Sequence, residues 1–165
     1  MHIRLTKFSE IAILQEIYQY AKKYMRQNGN LEQWNGEYPT NELLLKDIET
    51  NCSYVCIKND EIIATFCFFE DGEPTYDKIF QGKWLNNQPY GVVHRIATKT
   101  NQKGIGSFCL DWCYKKCQNL RIDTHFDNIP MRKLLEKNEF EYCGIIYLKD
   151  GFPRLAFQKD NLNKL

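Results

Sequence analysis

The spacing of apolar and polar residues predicts a chain that alternates between strands and helices. Residues 2–7 alternate polar and apolar side chains, which indicates an opening strand. Apolar residues recur at helical spacing over residues 11–25, after Ser9, a favoured helix N-cap, and before Gly29, a common helix terminator. Residues 40–50 carry a second, shorter helical pattern. This part of the chain therefore predicts one strand followed by two helices.

The next part of the chain predicts a β-hairpin followed by a long loop. Residues 52–57 and 61–70 are mostly apolar and β-branched or aromatic, and the polar segment 58–60 between them is typical of a tight turn. Residues 71–88 are polar and rich in turn formers, although aromatic side chains interrupt them. We expect a loop there, with one helical turn around residues 76–80.

A strand, two glycines and a helix follow one another over residues 92–117. Residues 92–98 predict a buried strand that is interrupted by His94, and residues 107–117 predict a packed helix. Gly104 and Gly106 lie between the two elements. A strand that turns through glycines into a helix directs backbone N–H groups and the positive end of the helix dipole at one point. The stretch thus predicts a phosphate or pyrophosphate site, with a tight turn that binds nothing as an equal alternative.

The same stretch argues against the commoner nucleotide sites. The sequence contains no Gly-x-x-x-x-Gly-Lys-Ser/Thr, the loop that nucleotide triphosphatases use. Cys109 occupies the position at which the dinucleotide fingerprint requires a third glycine. Triphosphate hydrolysis and dinucleotide binding are therefore disfavoured.

The last part of the chain predicts a strand, a helix and two further strands. Residues 120–124 alternate in period two, and Pro130 stands at a favoured early position of a helix. Residues 142–148 and 153–158 then predict an antiparallel pair. The element order is β-α-α-β-β-β-α-β-α-β-β, without repeats or linkers. We expect a mixed α/β fold in a single domain over residues 1–165.

Composition and charge narrow the possible partners. The chain has 165 residues, 43% of them hydrophobic, and a net charge of +1, which is ordinary for a globular protein and disfavours a nucleic-acid partner. No run approaches the roughly 18 apolar residues of a membrane span, and the first residues lack a signal-peptide core. Seven scattered cysteines favour reduced thiols. These features predict a cytoplasmic protein that has no membrane partner.

Three of the cysteines lie on one stripe of the predicted helix. Cys109, Cys113 and Cys117 are spaced four residues apart, so they face the same direction. A zinc site is one interpretation, but structural zinc ligands usually occur as close Cys pairs or with His. Burial as small apolar side chains is the favoured interpretation. We therefore expect no metal.

The residues described so far resemble a known superfamily. The order of elements, the strand–glycine turn–helix at 92–117 and the segment 120–140 are together similar to the GNAT superfamily of acetyl-CoA-dependent N-acetyltransferases. The resemblance covers nearly the whole chain and is strongest over residues 92–148. It implies a GNAT-type fold: a central, mostly antiparallel sheet, flanked by about four helices, in which the strand at 92–98 splays away from the strand at 120–124.

The resemblance also implies a binding site for acetyl-CoA. The family's turn has the pattern Gln/Arg-x-x-Gly-x-Gly/Ala, and Gly104 and Gly106 match its glycines, whereas Asn101 stands at its Gln/Arg position. A second family signature falls on residues 128–140, where Asn128, Lys137 and Phe140 agree with it. By this resemblance, the residues that bind acetyl-CoA are Ile96, Ala97, Thr98, Gln102, Lys103, Gly104, Ile105, Gly106, Ser107, Asn128 and Lys137.

The implied chemistry is the direct attack of an amine on the thioester, which requires a general base. His94 is the first candidate, because an imidazole suits the task and because regular alternation would put it on one strand face with Ile96 and Thr98. A histidine hydrogen-bonded in the core is an equal alternative. Asp123 and His125, at the end of the next strand, are weaker candidates.

The protonation of the leaving thiolate requires a separate explanation. Leu135 stands where family members often carry a tyrosine that returns this proton, and a leucine cannot do so. Tyr142 is our candidate substitute; Tyr147 is a second, and solvent is an alternative, since a thiol with a pKa near 8.5 is a tolerable leaving group.

The acceptor is expected to be a primary amine: a small molecule, an amino acid or a peptide N-terminus. The family's acceptor side corresponds here to segments that carry Trp34, Tyr38, Phe68, Glu70 and Trp84. The resemblance also implies a homodimer as one option. A second hypothesis is an acyl-CoA-binding sensor or interaction module with little catalysis, which the changes at Leu135 and Asn101 motivate.

Overall fold

The structure is a computed structural model, and it describes residues 1–99 and 102–161. Within these residues, one sheet contains seven strands: β1 (His2–Leu5), β2 (Ser53–Lys58), β3 (Glu61–Phe69), β4 (Gly91–Thr98), β5 (Asn119–Thr124), β6 (Glu141–Tyr147) and β7 (Pro153–Asp160). Four α-helices accompany them: α1 (Ile11–Gln27), α2 (Asn41–Glu49), α3 (Ile105–Cys117) and α4 (Ile129–Lys137). Short 3-10 helices span Phe8–Glu10 and Pro74–Tyr76. The predicted order of elements and the mixed α/β fold are confirmed.

The sheet diverges at its centre. Its strand order is β1-β2-β3-β4-β5-β7-β6, and neighbours are antiparallel except for the parallel pair β4 and β5. That pair is joined only at Gly91–Leu120 and Val92–Arg121, although β4 has 8 residues and β5 has 6. Beyond these two pairs, the strands separate. The predicted splay is therefore present.

The predicted hairpin is formed by β2 and β3. Lys58 pairs with Glu61, so the connecting loop contains only Asn59 and Asp60. Both have positive φ, 51° and 62°, the conformation that two-residue hairpin turns of the primed type require. Asn and Asp tolerate this conformation better than other side chains do, which explains why the chain turns at this point.

Helices cover both faces of the sheet. Leu110 of α3 and Leu135 of α4 pack against the β3 and β5 side chains Phe66 and Ile122 in one buried cluster. On the opposite face, side chains of α1 and α2 form a second buried cluster with strands β2 and β3: Leu14, Ile17, Leu44, Val55 and Ile62. Amphipathic helices on a sheet bury both apolar faces in this way.

The three cysteines of α3 belong to the core. Cys109 and Cys113 are fully buried in the first cluster, and Cys117 packs at its margin. The predicted role as small apolar side chains is therefore confirmed. In the described residues, no group of three or more His, Cys, Asp or Glu side chains is arranged to hold a metal ion. Nor does this part of the chain contain a helix with the length and apolar character that a bilayer crossing demands.

The long loop between β3 and β4 is held against the rest of the protein by hydrogen bonds and packing. Phe80 and Ile145 of β6 exchange two backbone hydrogen bonds of 2.8 Å. The Trp84 indole N–H donates to the Tyr76 carbonyl at 2.9 Å. Arg121 of β5 lies under Trp84 at 4.2 Å from its ring centroid. The expected helical turn is present, but at Pro74–Tyr76, slightly earlier than predicted.

We expect Gly82→Ala to destabilise the protein by about 1–3 kcal/mol, because overpacking has costs of that size. A Cβ at Gly82 would lie 1.9 Å from the Cys143 carbonyl oxygen, a backbone atom that cannot rotate away. Urea unfolding of the variant measures the loss. Lys83→Ala is the control, since Lys83 is exposed and adjacent. Equal stability of Gly82→Ala and wild type would contradict the close docking of this loop on β6.

Candidate active site

A cavity of about 730 Å³ opens where β4 and β5 separate. Its volume is within the range of roughly 300–1,000 Å³ that small-molecule sites occupy. Five segments contribute to its wall: β4, the end of β5 with the start of α4, the α1–α2 loop, the loop after β3, and the β6–β7 turn with the start of β7. The cavity is therefore formed by two strands of the sheet and by the loops around them.

His94 of β4 lies in this cavity between two carboxylates. Its Nε2 is 2.8 Å from Oε2 of Glu73, and its Nδ1 is 3.9 Å from Oδ1 of Asp123. Because an ionised carboxylate only accepts hydrogen bonds, Nε2 carries the hydrogen and donates it to Glu73. In the neutral ring, Nδ1 then has a free lone pair on the Asp123 side. This is the arrangement of a general base whose tautomer is fixed by a partner.

Glu73 is itself held in its ionised form. Its Oε1 accepts hydrogen bonds from the Thr75 backbone N–H at 3.1 Å and from the Thr75 hydroxyl at 3.0 Å. The pKa of Glu73 is lowered from its ordinary 4.5 to about 2. The hydrogen bond from His94 is the largest cause, and the hydrogen bonds from Thr75 add to it. Glu73 is thus a carboxylate throughout the neutral range.

Asp123 is fixed by a buried phenol. The Tyr76 hydroxyl donates to Oδ1 of Asp123 at 2.5 Å, and Tyr76 is fully buried. Burial raises the pKa of Tyr76 well above its usual value, so the phenol keeps its proton and remains a donor. The loop after β3 therefore supplies both the partner of His94 and the group that orients Asp123.

A β-bulge in β4 changes which residues accompany His94. Cys67 pairs with His94 and Thr65 pairs with Ala97, so one β3 residue is opposite two in β4, and Arg95 has a φ of 53°. His94 consequently shares its face with Ala97, and Ile96 packs with the opposite cluster. The expectation that regular alternation puts His94, Ile96 and Thr98 on one face was wrong, because a bulge inserts one extra residue.

The bulge is stabilised by Arg95 and its partners. Nη2 of Arg95 is 2.5 Å from Asp47, and its Nη1 donates to the Tyr38 hydroxyl at 3.3 Å. The Tyr18 hydroxyl donates to the Arg95 carbonyl at 2.9 Å. A buried ion pair from α2 and a hydrogen bond from α1 therefore hold the irregular backbone in place.

The predicted glycine turn forms the start of α3. Gly104 is the N-cap with a φ of 90°, and the position where its Cβ would lie is open space. A Cβ on Gly106 would lie 2.8 Å from Leu134 of α4, so this glycine permits the two helices to approach closely. The first-turn N–H groups of an α-helix have no partners within the helix. The open turn can therefore present them to an anion.

The remaining predicted acetyl-CoA residues differ in their placement. Ile96 and Asn128 line the cavity, Ala97 is buried in the second cluster, and the Ser107 hydroxyl accepts a hydrogen bond from Asn138. The side-chain oxygen Oε1 of Gln102 accepts a hydrogen bond from Nζ of Lys58. Three residues are exposed or half-buried and do not line the cavity: Thr98, Lys103 and Lys137. Asn101 lies outside the described residues.

Asn128 belongs to a buried network of amides. Its Oδ1 caps α4 by accepting from the Met131 N–H at 3.1 Å, and its Nδ2 donates to Oε1 of Gln33 at 2.9 Å. Gln33 also accepts from Asn30 at 2.8 Å. Asn128 therefore ties α4 to the α1–α2 loop, a structural role that the sequence did not reveal.

The structure brings together only some of the predicted acceptor and catalytic residues. Trp34 and Tyr38 line the cavity beside His94, as does His125. Phe68 is in the core, Trp84 packs on Arg121, and Glu70 follows β3; in the described residues none of the three reaches the cavity wall. Tyr142 lies on β6, 53% exposed, with its ring against Phe157, and Tyr147 packs against Phe80. Neither is in the wall of the cavity that contains His94.

Two functional candidates were missed by the sequence analysis. Glu73 and Tyr76 lie in the polar loop 71–88, where no periodic pattern marks one position above another. One local signal is present: Pro74 follows Glu73, and a proline is common at the first position of a helix. That signal predicts a turn, but it does not predict that the turn places its carboxylate on His94.

A comparison with known proteins identifies the family. The profile of the acetyltransferase (GNAT) family matches residues 14–140. The chain belongs to the GNAT family of acetyltransferases. A search of curated protein sequences found no match.

Solved structures agree with this assignment. A GNAT acetyltransferase from Streptococcus agalactiae is 31% identical with a TM-score of 0.89, over 97% of this chain and 95% of that one. A GNAT acetyltransferase from Listeria monocytogenes is 12% identical with a TM-score of 0.69, over 97% and 94%. AAC(6')-Ib in complex with ribostamycin and coenzyme A is 18% identical with a TM-score of 0.64, over 96% and 92%. The last two establish the fold alone. The resemblance to the GNAT superfamily is thus confirmed.

We expect the stability contributed by Glu73 to depend on pH. Since the folded pKa of Glu73 lies below the ordinary 4.5, at about 2, its contribution is present above pH 4.5 and is lost as the pH falls toward 2. The difference in unfolding free energy between wild type and Glu73→Gln should therefore shrink over that range. Urea titrations at several pH values measure it.

The control for this experiment is Glu37→Gln, an exposed residue outside the cavity wall in the described residues. Its difference from wild type should stay small at every pH. A difference for Glu73→Gln that is constant from pH 6 to pH 2.5 would mean that the carboxylate is not held in its ionised form by His94.

Proposed function

We propose that the protein transfers the acetyl group of acetyl-CoA to a primary amine by direct attack. The observation that carries the proposal is the His94–Glu73 pair, 2.8 Å apart, inside the cavity at which β4 and β5 separate. Membership in the GNAT family supports acyl transfer, and the site supports a base that can act on an amine. The identity of the acyl group and the amine character of the acceptor are part of the proposal.

Several features of the chain fit acetyl-CoA. The gap between β4 and β5 leaves strand edges that a pantetheine arm can pair with. The 13-residue helix α3 begins at the open position of Gly104, where a pyrophosphate can approach the backbone N–H groups. The buried Thr124 hydroxyl at the cavity wall has no hydrogen-bond partner in the described residues, so a polar ligand group would complete its bonding. The structure of AAC(6')-Ib with coenzyme A supports the same cofactor.

The residues of the chain then have distinct roles. Acetyl-CoA, when bound, supplies an acetyl thioester that is activated for attack. His94 Nδ1 accepts the proton that the amine gives up as its nitrogen bonds to the acetyl carbon, and Glu73 keeps the ring in the required tautomer. Asp123, 3.9 Å from Nδ1, stabilises the resulting imidazolium. As the carbon–sulfur bond breaks, the thiolate leaves.

The return of a proton to the thiolate does not need the predicted tyrosine. Leu135 is fully buried among apolar side chains. Tyr142 lies on β6, the edge strand, and β7 separates this strand from β5. A thiol with a pKa of about 8.5 is a tolerable leaving group, and solvent can protonate it. We therefore give Tyr142 no role in the reaction.

A second candidate function is an acyl-CoA-binding sensor or interaction module with little catalysis. The burial of Leu135 at the position of the family's usual proton donor is the observation in its favour. The two candidates share cofactor binding and differ in turnover, so the experiments below distinguish them.

Three further proposals concern the protein as a whole. We propose that residues 1–165 form one acetyltransferase domain, because strands from both ends of the chain belong to one sheet. A cytoplasmic location is proposed from the cysteines, all seven of which are free thiols. A homodimer remains a proposal that the family resemblance supports.

Acetyl-CoA and CoA should raise the melting temperature, whereas ATP and NAD should not. A ligand at 100 times its dissociation constant adds about 2.7 kcal/mol to stability, which a thermal melt resolves. Product formation with a panel of primary amines then separates the enzyme from the sensor. Absence of a shift with both acetyl-CoA and CoA would remove the basis for either function.

We expect His94→Gln to lower kcat by about 10²- to 10⁴-fold, the usual contribution of a general base. Glu73→Gln should lower kcat less, because it removes only the group that orients the ring. Both variants should retain the thermal shift with acetyl-CoA. Tyr142→Phe is the matched control and should stay within about twofold of wild type. A loss with Tyr142→Phe as large as that with His94→Gln would restore Tyr142 as a catalytic candidate.

A further inference from the structure

The cavity contains a cation that the proposed reaction does not use. Two arginines line it, Arg95 and Arg154, together with one lysine, Lys149, which is exposed. Arg95 is paired with Asp47 at 2.5 Å. Arg154 of β7, by contrast, donates to the carbonyl of the adjacent Pro153, and no carboxylate of the described residues lies within 4 Å of its guanidinium. A partly buried cation that forms no ion pair is stabilised when a ligand brings a negative charge into contact with it.

The sheet register puts Arg154 close to the reaction centre. Asp123 of β5 is paired with Ala156 of β7, and Arg154 lies two residues before Ala156, on the same face. Diagonal neighbours of this kind are about 7–8 Å apart. Burial lowers the pKa of Arg154, and the charges of Asp123 and Asp150 act against that effect. Both carboxylates line the same cavity as Arg154.

His125 provides a second donor beside Arg154. Its Nδ1 accepts a hydrogen bond from the Asp127 backbone N–H at 3.0 Å, so its hydrogen is on Nε2. Burial, and then the positive charge of Arg154, lower the pKa of His125 below its ordinary 6.5, so the ring is neutral at pH 7. His125 and Arg154 both line the cavity. Together they offer an N–H group and a guanidinium, donors that suit a carboxylate.

The placement of Asp123 and Arg154 favours a zwitterion over a polycation. His94 is paired with Glu73, and Arg95 is paired with Asp47. The other charged residues of the cavity wall are Glu32, Lys149, Asp150, Asp123 and Arg154. Of these, Asp123 and Arg154 lie on the paired strands β5 and β7, on one face of the sheet, and they carry opposite charges. A polyamine would bring positive charge to Arg154, and a peptide N-terminus would bring an uncharged amide.

We propose that the acceptor is a free amino acid, or a closely similar amino carboxylate, whose carboxylate is bound by Arg154 and His125 while its amine lies at Asp123 and His94. The proposal rests on the acetyltransferase function above. A small molecule can span the two subsites, because Arg154 and Asp123 are diagonal neighbours in the sheet. Arg154 is accordingly a specificity-determining residue, and the reacting proton stays with His94.

The test compares each of the twenty L-amino acids with its own carboxamide as acceptor. Wild type should use acids with a kcat/KM at least tenfold above that for the amides. Arg154→Met, which keeps the approximate length of the side chain but loses its charge, should lose this preference through a higher KM for acids. Arg154→Lys should be intermediate, since it keeps the charge without the bidentate fork.

The control is Arg132→Met, an arginine of α4 that bonds to the Phe126 carbonyl and has no part in the cavity wall in the described residues. It should retain the preference for acids. All variants should keep the thermal shift with CoA, which separates loss of the acceptor subsite from loss of the cofactor site. Equal use of acids and amides by wild type, or an unchanged preference in Arg154→Met, overturns the proposal.

Binding measurements keep the inference testable if no acetyl transfer is found. Calorimetric titration of the protein saturated with CoA should then show tighter binding of the amino acid than of its amide, and Arg154→Met should abolish the difference. In that case the carboxylate subsite stands and the transferase function fails. If neither acid nor amide binds, or both bind equally, the carboxylate subsite is overturned.

Discussion

The structure depends on how few residues pair between β4 and β5. Two residue pairs join β4 to β5, and past them each strand has an edge whose backbone groups face a gap. Buried N–H and C=O groups need partners, so such a gap inside a sheet persists only where other elements support it and a ligand or water can complete the bonding. Elements at both ends of the gap provide that support: α3 packs on β4, and β7 pairs with β5 along its whole length. The cavity follows from this divergence.

The acceptor side of the cavity is built from loops that regular elements hold by their backbone. Arg26 of α1 donates to the carbonyls of Asn30, Gln33 and Trp34, and so fixes the α1–α2 loop. Arg121 of β5 does the same for the loop after β3 by donating to the Asn86 carbonyl at 2.7 Å. Loops can change sequence more freely than the sheet beneath them, so this arrangement allows a constant reaction centre to serve different acceptors.

The sequence predicted most of the fold because periodicity reports burial. The strands, the four helices, the Asn59-Asp60 hairpin turn and the glycine turn each have a local pattern with a local physical cause. The bulge at Arg95 has no such pattern, because it results from contacts with Asp47 and Tyr18 that are distant in the chain. The alternation rule therefore failed one residue after His94.

The candidate site was predictable only in part, for the same reason. His94 and the two aromatic residues Trp34 and Tyr38 could be chosen from their segments, and the cavity contains all three. Glu73 is 21 residues from its partner, and only the folding of the loop after β3 brings them together. No pattern in the sequence places Tyr142 near the gap, and the structure puts it on β6 at the edge of the sheet. Contacts between residues that are distant in the chain cannot be predicted from the spacing of residues along it.

The buried amides of Asn30, Gln33 and Asn128 have a consequence for the thermodynamics of the site. They join the α1–α2 loop, which forms a wall on the acceptor side, to the cap of α4, which borders the gap between β4 and β5. A ligand that displaces the first turn of α4 must also shift the hydrogen bonds that hold the loop. The free energies of occupying the two halves of the cavity are then linked, and by reciprocity each occupant changes the affinity of the other by the same factor. Cooperativity between two substrates can thus arise from three side chains that have no part in the chemistry.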